Sequence, residues 1–474
     1  MNGKISFKAM FGVMSLAVLS ACTSYEAPSK AVTHSSFTEV PAKEQLRMPV
    51  PANKILTLKD AQSLAVRNNP DFRTKYYAVV AGRAAYYAAF APYLPKVTVS
   101  NTLKRGFSIP DNDAHKDQAN GSRSFNNTVA ANASWLIFDS FVREMNLMAA
   151  KHGWKQTEAL ELDARRLLVR SVAYAYNDIL LSMAKIRIAK ENMKFQNSQL
   201  KENELKFEVG AVPLSNVLNF KAYYNSAESD LYAAQYSFAA AKHTLATLMG
   251  LTEGQIPAEV KFPGVPSPDG EVVPPLNVYL DTALANRPDL KAYREALQVA
   301  KYNYWASICS FGPTVSFNAS IGYSTGHTHT DNYLDGTGDF TTHYDGGDIS
   351  YGVTASWEIF SGGATYYAMR GRQAAMLQSD YSLANSWISI VSEVRTAYEY
   401  YQTCLTQVKI SQESLELYRK IRDLVAEEYQ AGNTELTRLN EAQRDFVDAE
   451  TTFATYVINM HNAKAQLEAA IGGY

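Results

Sequence analysis

The sequence predicts a mainly helical chain with a smaller β part, built from two copies of one unit. Three observations support this fold class: an internal repeat, a seven-residue apolar period in four long segments, and alternating apolar residues in two pairs of segments. Each unit is expected to contain a helix, a β-hairpin, a long helix and a return helix. The long and return helices are expected to pack as antiparallel coiled coils.

Composition excludes several classes of protein. The 474 residues include 45 Lys and Arg against 47 Asp and Glu, a net charge of −2, which excludes the broad basic surface of a nucleic-acid-binding protein. Hydrophobic residues at 46% and charged residues at 19% exclude a disordered chain. Three cysteines are too few for a disulfide scaffold or a cysteine-based zinc site, so we expect no metal and no cofactor.

The first residues predict export and a lipid anchor. Two lysines precede an apolar stretch over residues 9–19, the pattern of a signal peptide over residues 1–21. It ends in Leu19-Ser20-Ala21-Cys22, which resembles a bacterial lipobox, so Cys22 is expected to carry lipid such as palmitate at the start of an extended segment over 22–56. A plain secretory signal with an incidental cysteine is the alternative. Thr23 after the cysteine favours the outer membrane.

The internal repeat defines the domain organisation. NNPDF at 68–72 returns 218 residues later as NRPDL at 286–290, and ASWLIF at 133–138 returns 222 residues later as ASWEIF at 355–360. Six prolines separate the two copies and cannot continue a helix. The predicted division is a first repeat over 57–250, a proline-rich linker over 251–275 and a second repeat over 276–474.

Residues 57–92 are expected to form one helix, and alternation then predicts a hairpin in each repeat, over 96–138 and 314–360. The alternation is clearest from Val315 to Tyr323. About ten residues with one apolar face are typical of a membrane barrel strand. A half-buried hairpin of a soluble protein gives the same pattern. The lipidation signal and the aromatic strand ends favour the barrel.

Each hairpin is followed by a proline-free segment long enough for a helix of about 100 Å. Apolar residues recur there every seven positions and indicate left-handed coiled coils: Val172, Ile179, Ile186, Met193, Leu200 and Phe207 in the first repeat. Gly210 and Gly432 suit the C-caps at the two hairpin tips. The expected elements are long helices over 140–207 and 362–429 and return helices over 213–249 and 434–471.

The number of strands requires an assembly. Two hairpins give four strands, whereas closed membrane barrels begin at eight strands. An open four-stranded sheet in lipid would leave its edges without hydrogen bonds, which is very costly. Several copies must therefore share one transmembrane barrel, and the arithmetic allows a dimer or a trimer.

With these duplicated units and a glycine at each tip, the chain resembles the TolC family of bacterial outer-membrane channel proteins, specifically its lipidated OprM-like branch. The resemblance is strongest at 432–473, where Glu441-Ala442-Gln443-Arg444 is similar to the family's Asp-Ala-Gln-Arg. It implies a homotrimer with one 12-stranded barrel in outer-membrane lipid and a periplasmic tunnel of helices. It also implies a periplasmic adaptor (membrane fusion) protein and an inner-membrane pump, with this chain as a passive exit channel and not an enzyme.

The resemblance also implies two sets of site residues. Acidic side chains just past the second tip line the narrow entrance in the family, and Glu441 holds the matching position, with Arg438 where some members have a second acid. An Arg438–Glu441 pair could neutralise or lock this gate; the alternative is that Glu441 is an ordinary solvated residue. The expected adaptor contacts are the tip residues Val209, Gly210, Ala211, Gln430, Ala431, Gly432 and Asn433.

Two other interpretations remain. A lipid-anchored periplasmic coiled-coil scaffold without a pore explains the helices, but not the alternating strands with Trp135 and Trp357 at matching ends. The segment 324–348 is expected to be a polar loop, and its histidines and aspartates give a minor alternative of metal binding. Transported substrate, pump class and the resting state of the gate are not indicated by the sequence.

Overall fold

The computed structural model describes residues 55–108, 121–265, 273–330 and 340–473. The predicted signal peptide 1–21, Cys22 and the segment 22–56 apart from its last two residues lie outside the described residues. The helices are α1 Leu58–Asn68, α2 Pro70–Ala88, α3 Val142–Glu208, α4 Leu214–Leu248, α5 Leu276–Asn286, α6 Pro288–Cys309, α7 Ala364–Gln430 and α8 Leu436–Ala470. The strands are β1 Lys96–Ser108, β2 Ser122–Phe138, β3 Thr314–Thr330 and β4 Phe340–Ser356.

The first helix of each repeat is divided in two, which corrects the single helix expected over 57–92. The division falls before Pro70, because proline disfavours the helical conformation of the residue that precedes it. Asn69 is accordingly extended and accepts a hydrogen bond from the Phe72 N–H at 3.0 Å, which caps α2. The second repeat has the same break at Arg287, whose φ and ψ of −62° and 122° are nearly identical to those of Asn69.

The two hairpins form one antiparallel sheet in the order β1-β2-β3-β4, with β2 and β3 pairing across the repeats. The segment expected as a loop over 324–348 is mostly strand, because β3 continues to Thr330 and β4 begins at Phe340. Residues 331–339 between them lie outside the described residues. The hairpin predicted over 314–360 is shorter, since β4 ends at Ser356.

The long helix and return helix of each repeat pack as an antiparallel pair along a heptad core. Val172, Tyr176 and Ile179 are buried in the first repeat, as are their counterparts Val394 and Tyr401 in the second. The heptad position of Arg422 is polar, and its guanidinium lies 4.5 Å from the centre of the Phe446 ring. The aliphatic part of the Arg422 side chain thus continues the heptad core at a position where the sequence lacks an apolar residue.

A short N-terminal segment anchors the linker to the first repeat. The Leu56 N–H donates to the Lys261 carbonyl at 2.9 Å, and the Tyr176 hydroxyl donates to the Leu56 carbonyl at 2.9 Å. Burial, and secondarily the charge of Asp60, raises the pKa of Tyr176 to about 12, so the phenol remains a hydrogen-bond donor.

The divided helices are tied to the ends of the return helices by equivalent residues. The Asn69 amide donates to the Leu248 carbonyl at the end of α4 at 3.0 Å. The Arg287 guanidinium donates to the Ala470 carbonyl at the end of α8 at 3.1 Å, and also pairs with Asp289 and Glu393 at 2.7 Å each. Both repeats therefore fix the start of α2 or α6 against a helix C-terminus.

A polar seam joins the two repeats along α3 and α8. Most of the contacts between these two helices are hydrogen bonds: Arg166 to the Ala469 carbonyl at 2.8 Å, Tyr174 to Gln466 at 2.6 Å, Asn177 to Asn462 at 2.8 Å, Arg187 to Glu450 at 3.0 Å and Gln443 to Asn192 at 3.0 Å. Nearer the tips, the Tyr429 hydroxyl on α7 donates to Asn203 on α3 at 3.3 Å. In the described ranges, no helix is long and apolar enough to cross a membrane.

Candidate functional site

The two helical tips are exposed turns of the same construction. Gly210 and Gly432 adopt φ of 73° and 77°, the left-handed conformation that ends a helix. The N–H of Ala211 donates to the Lys206 carbonyl at 2.7 Å, and the N–H of Asn433 donates to the Glu428 carbonyl at 2.9 Å. All seven predicted contact residues are exposed: Val209, Gly210, Ala211, Gln430, Ala431, Gly432 and Asn433.

The surface at the first tip is apolar, which was not predicted from the sequence. Val209 is 80% exposed, and Leu205 and Leu214 near it in the chain are exposed as well. Phe207, expected in the heptad core, is also exposed. The seven-residue period of α3 therefore continues beyond the buried part of the coiled coil, since Leu200 one period earlier is buried. Exposed apolar residues grouped in this way are typical of surfaces that bind other proteins.

Arg438 and Glu441 lie one turn apart near the start of α8, and the structure brings them together. The Arg438 guanidinium donates to the Glu441 carboxylate at 3.5 Å, with both side chains about half exposed. An exposed pair of this length contributes between about 0 and 1 kcal/mol, so it does not hold Glu441 rigidly.

Glu441 lies on a polar groove of about 400 Å³ between α3, α4 and α8. Asp230 and Asp448 line the same groove, so three carboxylates face it against the single guanidinium of Arg444. Only Glu441 was predicted from the sequence; Asp448 lies two turns further along the same helix, and Asp230 comes from α4. The groove is therefore a region of negative potential just behind the second tip.

The sheet has one apolar and one polar face. On β4 the side chains of Ile349, Tyr351 and Val353 are exposed on the same face, although a strand of a soluble protein has no need of an exposed apolar face. The opposite face has polar contacts, such as the Ser320 hydroxyl bonded to Asn132 at 2.8 Å. An apolar outer face and a polar inner face are typical of a barrel wall in lipid.

The histidines near the end of the hairpin lie on the strands themselves. His327 and His343 are opposite each other in the β3–β4 register, with ring centres 5.8 Å apart, and Phe125 stacks on His327 at 5.7 Å. In the parts of the chain that the structure describes, no three His, Cys, Asp or Glu side chains lie close enough to hold a metal ion. Asp331 and Asp339 lie outside these parts.

Comparison with known proteins assigns the family. The model of the outer membrane efflux protein family matches residues 61–251 and 279–473, which is most of each repeat. The chain belongs to this family of outer-membrane channel proteins, and the predicted resemblance to TolC-like channels is confirmed.

Individual relatives agree in sequence and in fold. The chain is 25% identical to the alkaline protease secretion protein AprF of Pseudomonas aeruginosa over 88% of this chain and 87% of that protein. It is 19% identical to the outer membrane protein TolC of Vibrio cholerae over 88% of this chain and 90% of that protein. The Campylobacter jejuni CmeC outer membrane channel superposes with a TM-score of 0.74 at 20% identity, over 88% and 85% of the two chains. The predicted fold class is thereby confirmed.

Proposed function

We propose that this protein is the outer-membrane exit channel of a tripartite efflux or export system. The observation that supports this most directly is that the four-stranded sheet of this family member is open. Its edges are β1 and β4, on either side of β2 and β3. In lipid, each edge must pair with another strand, and a second copy offers the matching edge. Three copies would supply 12 strands, closing one barrel above a tunnel of helices.

The channel is passive in this proposal. An inner-membrane pump supplies energy, and a periplasmic adaptor docks on the seven exposed tip residues, with the apolar surface around Val209 as its main contact. Cys22 carries the lipid anchor, as expected for the lipidated OprM-like branch. The relatives include proteins named for protease secretion and for efflux, so the pump determines the cargo.

The gate is proposed at the groove behind the second tip. Three copies of Glu441 around one axis would repel each other and attract cations, which makes the mouth cation-selective. Asp230 and Asp448 extend this negative potential inward. Arg438 weakens the repulsion in each copy because its guanidinium reaches Glu441.

Two measurements test the proposal. The native mass of the mature protein extracted in detergent should correspond to three chains, and the same preparation should form cation-selective pores in a planar bilayer. A stable monomer without conductance would contradict the channel and support the anchored scaffold. If the trimers conduct only after an adaptor is added, the channel proposal would stand and the resting gate would be closed.

A further inference from the structure

The two repeats have the same helices, but their outer faces are covered differently. Ile188 on α3 is 3% exposed, whereas the equivalent Ile410 on α7 is 58% exposed. Nearer the sheet, Arg166 on α3 is 3% exposed, whereas its equivalent Ile388 on α7 is 67% exposed. The difference arises because α8 packs along α3 through the polar seam, while the same face of α7 is left open.

The return helices show the complementary difference. Asn440 on α8 is buried against α3, whereas its equivalent Leu218 on α4 is 60% exposed. Gln443 on α8 is buried, and its equivalent Lys221 is exposed. The open faces of α7 and α4 are therefore equivalent to the two faces that α3 and α8 bring together within the chain.

The charges on these open faces match the internal contact. Within the chain, Arg187 on α3 pairs with Glu450 on α8 at 3.0 Å. Adding 222 to the first number and subtracting 222 from the second gives Lys409 on α7 and Glu228 on α4. The basic residue is again on the long helix and the acidic residue on the return helix.

The grooves repeat the same relation. Asn192, Gln196, Tyr223 and Ser226 line the groove that α8 closes within the chain. Their equivalents Ser414, Tyr418, Asp445 and Asp448 line a second groove of about 440 Å³ between α7 and α8. Its missing wall corresponds to α4, which would bring Lys221 to the two aspartates, where Gln443 stands in the internal contact. Opposite charges thus meet at this position too.

We propose that α4 of a second copy packs on α7 in the register of the internal α3–α8 seam, with Lys409 paired to Glu228 of the partner subunit. Lys221 of the partner subunit then closes the second groove against Asp445 and Asp448. The contact is head-to-tail, so it generates a ring in which each chain gives its α7 face to one neighbour and its α4 face to the other. This inference rests on the proposed channel, because it specifies the residues that assemble it.

Charge reversal tests the pairing. Lys409→Glu and Glu228→Lys should each reduce the fraction of trimer in detergent several-fold at low salt, and the double variant should restore it. Lys420→Glu is the matched control: its equivalent Ser198 is exposed within the chain, so this substitution should leave the trimer unchanged. Equal loss in the control, or no rescue in the double variant, would overturn the pairing.

Cross-linking gives a second readout that does not depend on stability. In a variant with Cys309→Ser and Cys404→Ala, the pair Lys409→Cys and Glu228→Cys should oxidise to covalent dimers and closed trimers. The pair Lys420→Cys and Glu228→Cys should not, because the two sites would be about 16 Å apart along α7. A trimer of normal mass that cross-links only in the control pair would overturn the register and leave the channel intact. A wild-type monomer would instead overturn the channel, and with it the pairing.

Discussion

Trp135 and Trp357 hold equivalent positions at the bases of the two hairpins and make the same hydrogen bond. The indole N–H of Trp135 donates to the Tyr93 carbonyl at 3.0 Å, and that of Trp357 donates to the Phe311 carbonyl at 2.9 Å. Each bond joins the end of a returning strand to the chain just before the outgoing strand. The two tryptophans thereby close the hairpins where the sheet meets the helices.

We expect Trp135→Phe and Trp357→Phe each to lower the free energy of unfolding by about 0.5–1.5 kcal/mol, the usual net contribution of one hydrogen bond. Urea unfolding of the reconstituted protein, followed by circular dichroism, measures it. Trp305→Phe is the control, since Trp305 is similarly exposed and belongs to α6 and not to a hairpin. A loss in the control as large as in the other two would show that the aromatic surface matters rather than the bond.

Arg287→Met should destabilise the chain by about 3 kcal/mol, because it leaves Asp289 and Glu393 without their buried cation. Asn69→Ala, at the equivalent place in the first repeat, should cost about 1 kcal/mol, the usual cost of a lost helix cap. Chemical unfolding of both variants in one detergent gives the comparison. Equal losses would contradict the view that the second junction depends on charge.

The same junction predicts a dependence on pH. Burial raises the pKa of Asp289, but the hydrogen bonds and charge of Arg287, with smaller contributions from Arg166 and the Leu290 N–H, outweigh it, so the pKa lies below its usual range. Since the unfolded carboxyl titrates near about 3.9, this stability is present above that pH and is lost as pH falls through the lower native pKa. The free energy of unfolding of the wild type should fall more steeply below about pH 4 than that of Asp289→Asn. Parallel curves would exclude this contribution.

Glu441→Gln should reduce the preference of the open channel for cations, because three charges would be removed from the mouth. Reversal potentials across a planar bilayer with a salt gradient measure this preference. Glu416→Gln is the control and should have little effect, since Glu416 is an exposed residue on α7 rather than on α8. Arg438→Ala should act in the opposite direction from Glu441→Gln, because it frees the Glu441 carboxylate. Identical reversal potentials in all variants would place the selective constriction elsewhere.

Val209→Asp should abolish adaptor binding while leaving the trimer intact, because a charge replaces the most exposed apolar residue of the first tip. Pull-down of the adaptor from membranes, with native mass as the fold check, measures both properties. Ser198→Asp, on the exposed surface of α3 away from the tip, should bind as the wild type does. Normal adaptor binding by Val209→Asp would contradict the apolar docking surface.

The sequence predicted most of the architecture because it depends on period and repetition. Heptads identified the long helices, alternation identified the strands, and the repeated Trp135 and Trp357 matched the hairpins. The prediction was wrong at Asn69, where the effect of the following proline outweighed a continuous helical pattern. It was also wrong at His327, since alternating Thr and His residues extend a strand as readily as they form a loop.

The contacts between repeats could not be predicted in the same way. Arg166 reaches the Ala469 carbonyl, and Asn203 bonds to Tyr429, each across more than two hundred residues. No local pattern distinguishes these polar residues from solvated ones on the same helices. The groove carboxylates Asp230 and Asp448 were missed for this reason, whereas Glu441 was predicted from the resemblance of its segment to the TolC family.

At the turn from sheet to long helix, the first repeat has Ser140 and Phe141 where the second has Gly362 and Gly363. All four residues have positive φ, which costs a non-glycine residue about 1–2 kcal/mol. Ser140 offsets that cost by donating to the Pro313 carbonyl at 2.7 Å, and Phe141 by packing edge-on against Phe138. The turn therefore has a left-handed backbone at the same two positions in both repeats, although its residues differ. The first turn thus relies on side-chain contacts for a backbone geometry that glycine adopts without strain, so truncating Ser140 or Phe141 to Ala would leave the strain without its compensation.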